Sequence, residues 1–467
     1  MLLLLWELLL PTKTAMAINR IKTYFTKSVH IAPLAVFRIA FGLLMLASII
    51  RFVGKGWVYD MYIKPKVFFS YYGFEWVKPF GETGMYALFI LMALAALCIT
   101  VGFFYRLSSI LFFLTFTYVE LIDKTNYLNH YYFISIVSLL MIFLPAHRYF
   151  SIDSWRKQAI QVSHIPNYFL LIIKMQVFIV YFFAGIAKIN SDWLVEAMPL
   201  KIWLPAHSEM PLIGKYLTKE WVAYAFSWFG CIYDILIPFF LFSERTIKPA
   251  YFFVIIFHLA TSLFFNIGMF PYVMICLTTI FFSEKFHIWL INFLRQLLKL
   301  NMLPVTESVY QPDTLQVKLL KWLMVVHFSV QLALPFRYLF YDENLFWTEQ
   351  GFRFSWRVML MEKAGTAFFY VRDKHSGKEI EISNCDFLTP MQEKMMATQP
   401  DMLIQYAHLL KKEYEKNGLK DAEVLAESYV TLNGKPSALI VDKSTVLSHE
   451  VDNFKPKRWI LPMPKNH

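Results

Sequence analysis

Residues 166–187 read Pro166-Asn-Tyr-Phe-Leu-Leu-Ile-Ile-Lys-Met-Gln-Val-Phe-Ile-Val-Tyr-Phe-Phe-Ala-Gly-Ile-Ala187, with Lys174 the one charged side chain. About 20 such residues cross roughly 30 Å of hydrocarbon as an α-helix. A helix is required there, because lipid offers no partner for backbone N–H and C=O groups. The run then meets Lys188-Ile-Asn-Ser-Asp192-Trp193, where charge and an aromatic belt residue return together. A stretch of this kind fixes the environment of the whole chain: its solvent is a bilayer.

The composition agrees. Of 467 residues, 57% are hydrophobic and 17% charged, against about 25% charged in soluble domains. The formal charge of +11 is explained by Lys and Arg in loops that set orientation. No basic, aromatic-interleaved soluble face appears, so nucleic acid is not an expected partner. The four cysteines, at 98, 231, 276 and 385, form no CxxC, so neither a disulfide framework nor a zinc site is expected. Leu2 to Leu10 is apolar but too short to span, and no basic residue precedes it. It is a poor signal peptide, and Met16 is an alternative start of a basic leader.

About nine spans are predicted, near 33–53, 83–104, 107–122, 126–145, 166–187, 219–243, 249–266, 269–283 and 315–340. Alternate connecting segments then carry Arg20, Lys22 and Lys27; Arg106; Arg148, Arg156 and Lys157; Arg245 and Lys248; and Arg295, Lys299, Lys318 and Lys321. A consistently basic series marks the cytoplasmic side. It places the N-terminus inside and the C-terminal tail outside, although segment 54–82 carries four lysines of its own. From about residue 345 the pattern changes. Residues 367–372 and 379–382 alternate like strands, residues 390–416 read as one or two helices, and 428–432 with 437–441 form a hairpin around Asn433-Gly434. The expected fold is a multi-pass α-helical membrane protein with a small C-terminal α+β extramembrane domain. Its parts are a leader at 1–32, a transmembrane domain at 33–345 and a soluble domain at 346–467.

Ionisable residues inside spans are costly and are functional candidates by default. No Walker loop, GxGxxG or GxSxG occurs. No two of the twelve histidines lie three or four apart, which argues against a helical metal pair, so no metal is expected. Three places stand out. Asp123-Lys-Thr-Asn-Tyr-Leu-Asn-His130 is a polar knot between two spans, which a capping turn would also explain. Lys188 closes an apolar helix, where snorkelling to the interface is the alternative to an amine whose burial lowers its pKa enough to act as a base. His258 lies in mid-span and needs a partner, which a structural hydrogen bond to another helix would supply.

These residues carry a resemblance. Phe37-Arg-Ile-Ala-Phe-Gly42, Tyr105-Arg106, Leu121-Ile-Asp-Lys-Thr-Asn-Tyr-Leu-Asn-His130, Phe178-Ile-Val-Tyr-Phe-Phe-Ala-Gly185, Lys188 with Asp192-Trp193, Ile267-Gly-Met-Phe-Pro-Tyr-Val-Met274 and Phe354-Ser-Trp356 resemble the vitamin K-dependent γ-glutamyl carboxylases, which share the HTTM membrane domain. The similarity runs from about residue 33 to 460 and suggests a bacterial member. It implies that Lys188 is the base that deprotonates vitamin K hydroquinone and that His130, beside Asn129, helps hold the reacting groups. It also implies that Tyr181 and His258 lie around the quinone. The implied cosubstrates are vitamin K hydroquinone, O2 and CO2. The implied partners are a glutamate-containing protein or peptide, reduced menaquinol-like vitamin K drawn from the bilayer, and membrane lipids. In such enzymes oxygenation to the 2,3-epoxide generates the strong base that a glutamyl γ-hydrogen demands, and the carbanion takes CO2 to give γ-carboxyglutamate. The implied location is a bacterial inner membrane with the C-terminal domain on the periplasmic side.

Two departures are visible. Ala187 precedes Lys188 where the animal enzymes carry a second lysine, and segment 54–82 lacks the cysteine of their disulfide. Other readings are a quinone epoxidase without a protein substrate, a membrane acyltransferase using Asn266 and His258, and a transporter. No two-fold hydropathy repeat or pair of broken helices supports transport.

Overall fold

A computed structural model describes residues 19–20, 22–265, 267–300, 307–341 and 343–464. The expectations for Leu2 to Leu10, Met16 and Asn266 fall outside the described residues. The helical part comprises α1 (Ala32–Gly54), α2 (Gly81–Val101), α3 (Tyr105–Ile122), α4 (Asn129–Phe143), α5 (Tyr168–Ala187), α6 (Glu220–Phe242), α7 (Ile247–Phe264), α8 (Phe270–Thr278), α9 (Glu284–Leu297) and α10 (Thr314–Ala333). Seven helices among the described residues are long and apolar enough to cross a membrane, or eight if one bent pair is counted as a span. The protein is therefore an integral membrane protein.

The expected count of nine shrinks at two places. The run at 126–145 yields α4, a helix of 15 residues, which reaches only about 22 Å at 1.5 Å per residue. The run at 269–283 yields the 9-residue α8. Its continuation bends by 114° into α9. Apolar composition set both expectations, but Lys124–Asn126 turns as a 3-10 element and the chain turns again before Glu284. The α9 helix leaves Trp289, Phe293 and Leu297 exposed while burying His287 and Ile291. That pattern suits a helix lying in the membrane interface.

The connecting segments gather at two ends. At one, the short ribbon of β1 (Ser28–His30) and β2 (His164–Pro166) sits near Glu284, which accepts from the His30 amide. At the other, the chain folds into an antiparallel sheet of order β4-β3-β5-β6, made of β3 (Lys363–Asp373), β4 (Glu379–Ile382), β5 (Ala422–Leu432) and β6 (Ala438–Val441). The expected hairpin around Asn433-Gly434 forms, and the two strands expected at 367–372 and 379–382 pair with each other. Asn433 and Gly434 adopt φ of 51° and 76°, the left-handed pair that a tight hairpin turn needs. The predicted helical stretch splits into α11 (Pro390–Met396) and α12 (Pro400–Lys416), because Pro400 cannot continue a preceding helix. The α12 helix buries Tyr406 edge-on to Phe369 of β3, ring centres 4.7 Å apart.

The sheet region does not hang free. One apolar core runs from Trp193, Leu200 and Phe264 at the end of the bundle into Phe369, Tyr406 and Val424. Polar bonds lock the same junction. Gln392 donates to Asp123 Oδ2 at 2.9 Å and to the Val67 carbonyl at 2.7 Å. Lys124 and Arg353 both reach Asp401 Oδ2 at 2.7 Å. The polar knot at Asp123 thus serves as a latch, and the Asp123 side chain also caps the 3-10 turn through the Thr125 amide.

Burial alone would raise the Asp401 carboxyl, but Arg353 and Lys124 together hold it well below the usual carboxylate range. Burial lowers the Lys124 ammonium although Asp401 opposes this, so acid sensitivity rests with Asp401. A depressed folded-state pKa gives stability that is complete above the unfolded value near 3.9 and is lost as pH falls below it. Asp401→Asn is expected to cost about 3 kcal/mol at pH 7. Thermal unfolding in detergent should show its gap from the native protein closing only below about pH 4.

Candidate functional site

Gly185 sets the geometry. A methyl group there would lie 2.6 Å from Ile235 Cγ1, 2.7 Å from the Ile235 nitrogen and 3.0 Å from the Asp234 carbonyl carbon. Only glycine lets α5 approach α6 so closely. One turn later Lys188 caps the C-terminus of α5. Its Nζ donates to Asp234 Oδ2 at 2.8 Å and to the Ala184 carbonyl at 3.2 Å. Lys188 is 6% exposed and Asp234 4%, so neither reaches water as a snorkelling side chain would. Removing two charges from water costs several kcal/mol per ion before their attraction returns any of it. Such a pair, buried at the end of a membrane helix, is a functional candidate by its expense.

Trp193 covers the pair, with Lys188 Nζ 5.4 Å from its ring centre. The indole is fixed by a bond from its N–H to the Ser227 carbonyl at 2.9 Å. Beside it, Asp192 accepts from Asn433 Nδ2 at 2.7 Å and from Lys435 Nζ at 3.4 Å. The Asp-Trp pair therefore ties the cavity wall to the β5–β6 turn.

Lys188, Asp234, Tyr181 and His258 face one cavity, walled by Trp193, Phe226, Phe229, Phe257, Phe264 and Phe270. Tyr181 on α5 and His258 on α7 share a hydrogen bond of 2.7 Å between Oη and Nε2. Val358 and Met359 close another side. They end a stretch in which Glu349, Phe354, Trp356 and Met359 all carry φ between 54° and 62°. For residues other than glycine such backbone is strained and persists only where surrounding contacts enforce it.

Three of the five sequence-derived residues, Lys188, Tyr181 and His258, thus meet in one cavity. The other two do not line it. His130 stacks behind Phe270, ring centres 5.8 Å apart, while Phe270 lies edge-on to His258 at 6.1 Å. Asn129 donates to the Arg357 carbonyl at 2.7 Å and accepts from Tyr127 Oη at 3.0 Å. Tyr127 Oη in turn accepts the Phe354 amide at 2.7 Å. Asn129 thus bonds to the strained strap that ends at Met359.

Sequence reading missed Asp234. The signal was present: a carboxylate in the apolar run Trp228 to Phe242 is as unusual as a mid-span histidine. Among the described residues no group of three or more His, Cys, Asp or Glu side chains is placed to hold a metal ion. The four cysteines are unpaired.

Aromatic faces thus surround a single cationic corner. Two family models match the chain. The HTTM domain model covers residues 26–286. The model of the vitamin K-dependent gamma-carboxylase lumenal domain covers residues 316–466. No solved structure matches the chain. Since both halves of the molecule, and the two walls of this cavity, fall within those models, the chain belongs to the vitamin K-dependent gamma-carboxylase family.

Proposed function

We propose that the protein is a vitamin K-dependent γ-glutamyl carboxylase in which Lys188 is the base that takes the phenolic proton of vitamin K hydroquinone. The observation that carries this reading is the Lys188–Asp234 pair set into an aromatic cavity beside Tyr181 and His258. When bound, the hydroquinone supplies the reducing equivalents for O2 and the strong base that a glutamyl γ-hydrogen requires.

The residues divide the work by position. In the reactive state Lys188 is the neutral amine, its proton having left the buried pair before the ring enters, and it takes a proton from a phenol whose acidity resembles that of tyrosine, near 10. The Asp234 carboxylate stabilises the ammonium that results, because an opposite charge at 2.8 Å favours the charged form. The Tyr181–His258 pair presents a second donor and acceptor with which to orient the ring. The aromatic walls exclude water, which protects a glutamyl carbanion from protonation before CO2 arrives. His130 and Asn129 support this arrangement from behind Phe270 and the Arg357 carbonyl. The membrane domain is proposed to span 33–345 and the soluble α+β domain 346–467.

The test is to incubate purified protein with hydroquinone, O2, labelled bicarbonate and a glutamate-containing peptide. Epoxide and peptide label are expected to accumulate together. Epoxide without label would reduce the function to quinone epoxidation, and the absence of both would end the proposal.

We further propose that the sheet region faces the periplasm of a bacterial cell. Arg106, Arg148 and Arg156 lie at the opposite end of the bundle, as cytoplasmic basic residues should. Cys385 is exposed in the sheet region, whereas Cys231 is buried and Cys98 and Cys276 are half-buried in the helical part. A membrane-impermeant maleimide should label Cys385 in cells whose outer barrier is permeabilised and whose inner membrane is intact. Labelling only after lysis would reverse the orientation.

A further inference from the structure

A second cavity lies at the end of the bundle away from the sheet region. It is an open depression lined by Phe104, Arg106, Leu107, His147, Asp153, Arg156 and Lys157. The α3 helix starts there, but its N-terminal amides are not available. Asp153 already accepts from the Phe104 and Tyr105 nitrogens at 2.9 Å each. The cations are what remain. Arg106 donates to the Ile142 carbonyl at 2.8 Å, and Arg156 rests 5.0 Å from the Phe104 ring centre. Among the described residues, Arg106, Arg156 and Lys157 form no ion pair with a carboxylate.

One further cation lies behind the depression, and one neutral imidazole lines it. Arg38 is fully buried against Gly102, and its Nη2 donates to the Phe150 carbonyl at 2.6 Å. Its Nε and Nη1 have no hydrogen-bond partner, and neither does Nδ1 of His147, which stacks on Tyr105. Three cationic side chains free of ion pairs, beside an Asp153 whose oxygens the Phe104 and Tyr105 amides occupy and backed by a buried guanidinium, make a site for an anion. The rim specifies what kind. Phe104 is 53% exposed and Leu107 56%, at the start of a helix that crosses the bilayer. An anion here carries apolar chains beside it.

We propose that this depression binds the headgroup phosphate of an anionic phospholipid, with the acyl chains lying along Phe104 and Leu107. Basic pockets between membrane helices hold such headgroups through charge and hydrogen bonds together. The site is separate from the Lys188 cavity and does not depend on what that cavity does.

The experiment reconstitutes the full chain in nanodiscs of phosphatidylcholine doped with phosphatidylglycerol, then releases it into detergent for native mass spectrometry. The native protein is expected to retain one phosphatidylglycerol. R156Q/K157Q should lose retention by roughly tenfold or more, the effect of removing two basic contacts at a membrane surface. R156K/K157R, which keeps both charges, should retain the lipid, and an unchanged unfolding temperature would show that R156Q/K157Q is folded. Glycerol 1-phosphate at millimolar concentration should not displace the lipid. Equal retention by R156Q/K157Q, equal retention of phosphatidylcholine, or displacement by glycerol 1-phosphate would each overturn the proposal.

Discussion

Lys188→Ala is expected to lower both epoxide formation and peptide carboxylation by roughly 10²–10⁴-fold, the contribution typical of a positioned general base. Extra hydroquinone should restore neither, because the missing group removes a proton and does not merely bind the ring. The two activities should fall together, since the base acts before they diverge. A variant that retained full activity would show that the amine is not the base. Loss of carboxylation with full epoxidation would move Lys188 to the glutamyl side of the reaction. The substitution has a structural consequence as well, because it leaves Asp234 buried beside an empty corner. Activity must therefore be read on protein whose fold has been checked.

Asp234→Ala is the second large effect. It strands an ammonium in an apolar cavity, and breaking one side of a buried pair costs about 3–5 kcal/mol. Activity should fall too, since the ammonium formed on proton transfer loses its counter-charge. The double variant Lys188→Met/Asp234→Leu separates the two roles. Replacing a buried pair with apolar groups of similar volume is often neutral or stabilising, so this protein should unfold at or above the native temperature and yet be inactive. The cycle built from both singles and the double should show strong coupling, as residues in direct contact do. Additive effects on stability would mean that the 2.8 Å contact is not an energetic pair.

The sequence was readable where its signal is local. Runs of 18 to 23 apolar residues announced α1, α2, α3, α5, α6 and α7, and Asn433-Gly434 announced its hairpin because only a few residues adopt two successive left-handed conformations. Length was harder. Residues 126–145 are apolar enough to cross, but the turn at Lys124–Asn126 consumes their start, and α4 is left with 15 residues.

The site divided in the same way. Lys188 and His258 were visible as polar groups in or at the end of apolar spans, Tyr181 came only from the family resemblance, and their shared cavity goes with the α5–α6 approach that Gly185 permits. Asp234 belonged to the same class but has no motif around it, and its partner is 46 positions away. His130 and Asn129 lie behind the cavity wall. That a phenylalanine from α8 would stand between His130 and the cavity depends on packing, which periodicity does not encode. The latch at Lys124 and Asp401 joins residues 277 positions apart, so the polar knot at Asp123 offered no hint that it holds the sheet region in place.

The central claim is that the hydroquinone ring sits in the α5–α6–α7 cavity with a phenolic oxygen against Lys188. A structure of the protein with a non-reactive hydroquinone analogue tests it most directly. The account predicts the analogue's oxygen within about 2.7–3.2 Å of Lys188 Nζ, with Asp234 on the far side of the ammonium and the ring between Trp193 and Phe270. An analogue bound in a different cavity, or in this one with its oxygens turned away from Lys188, would contradict it.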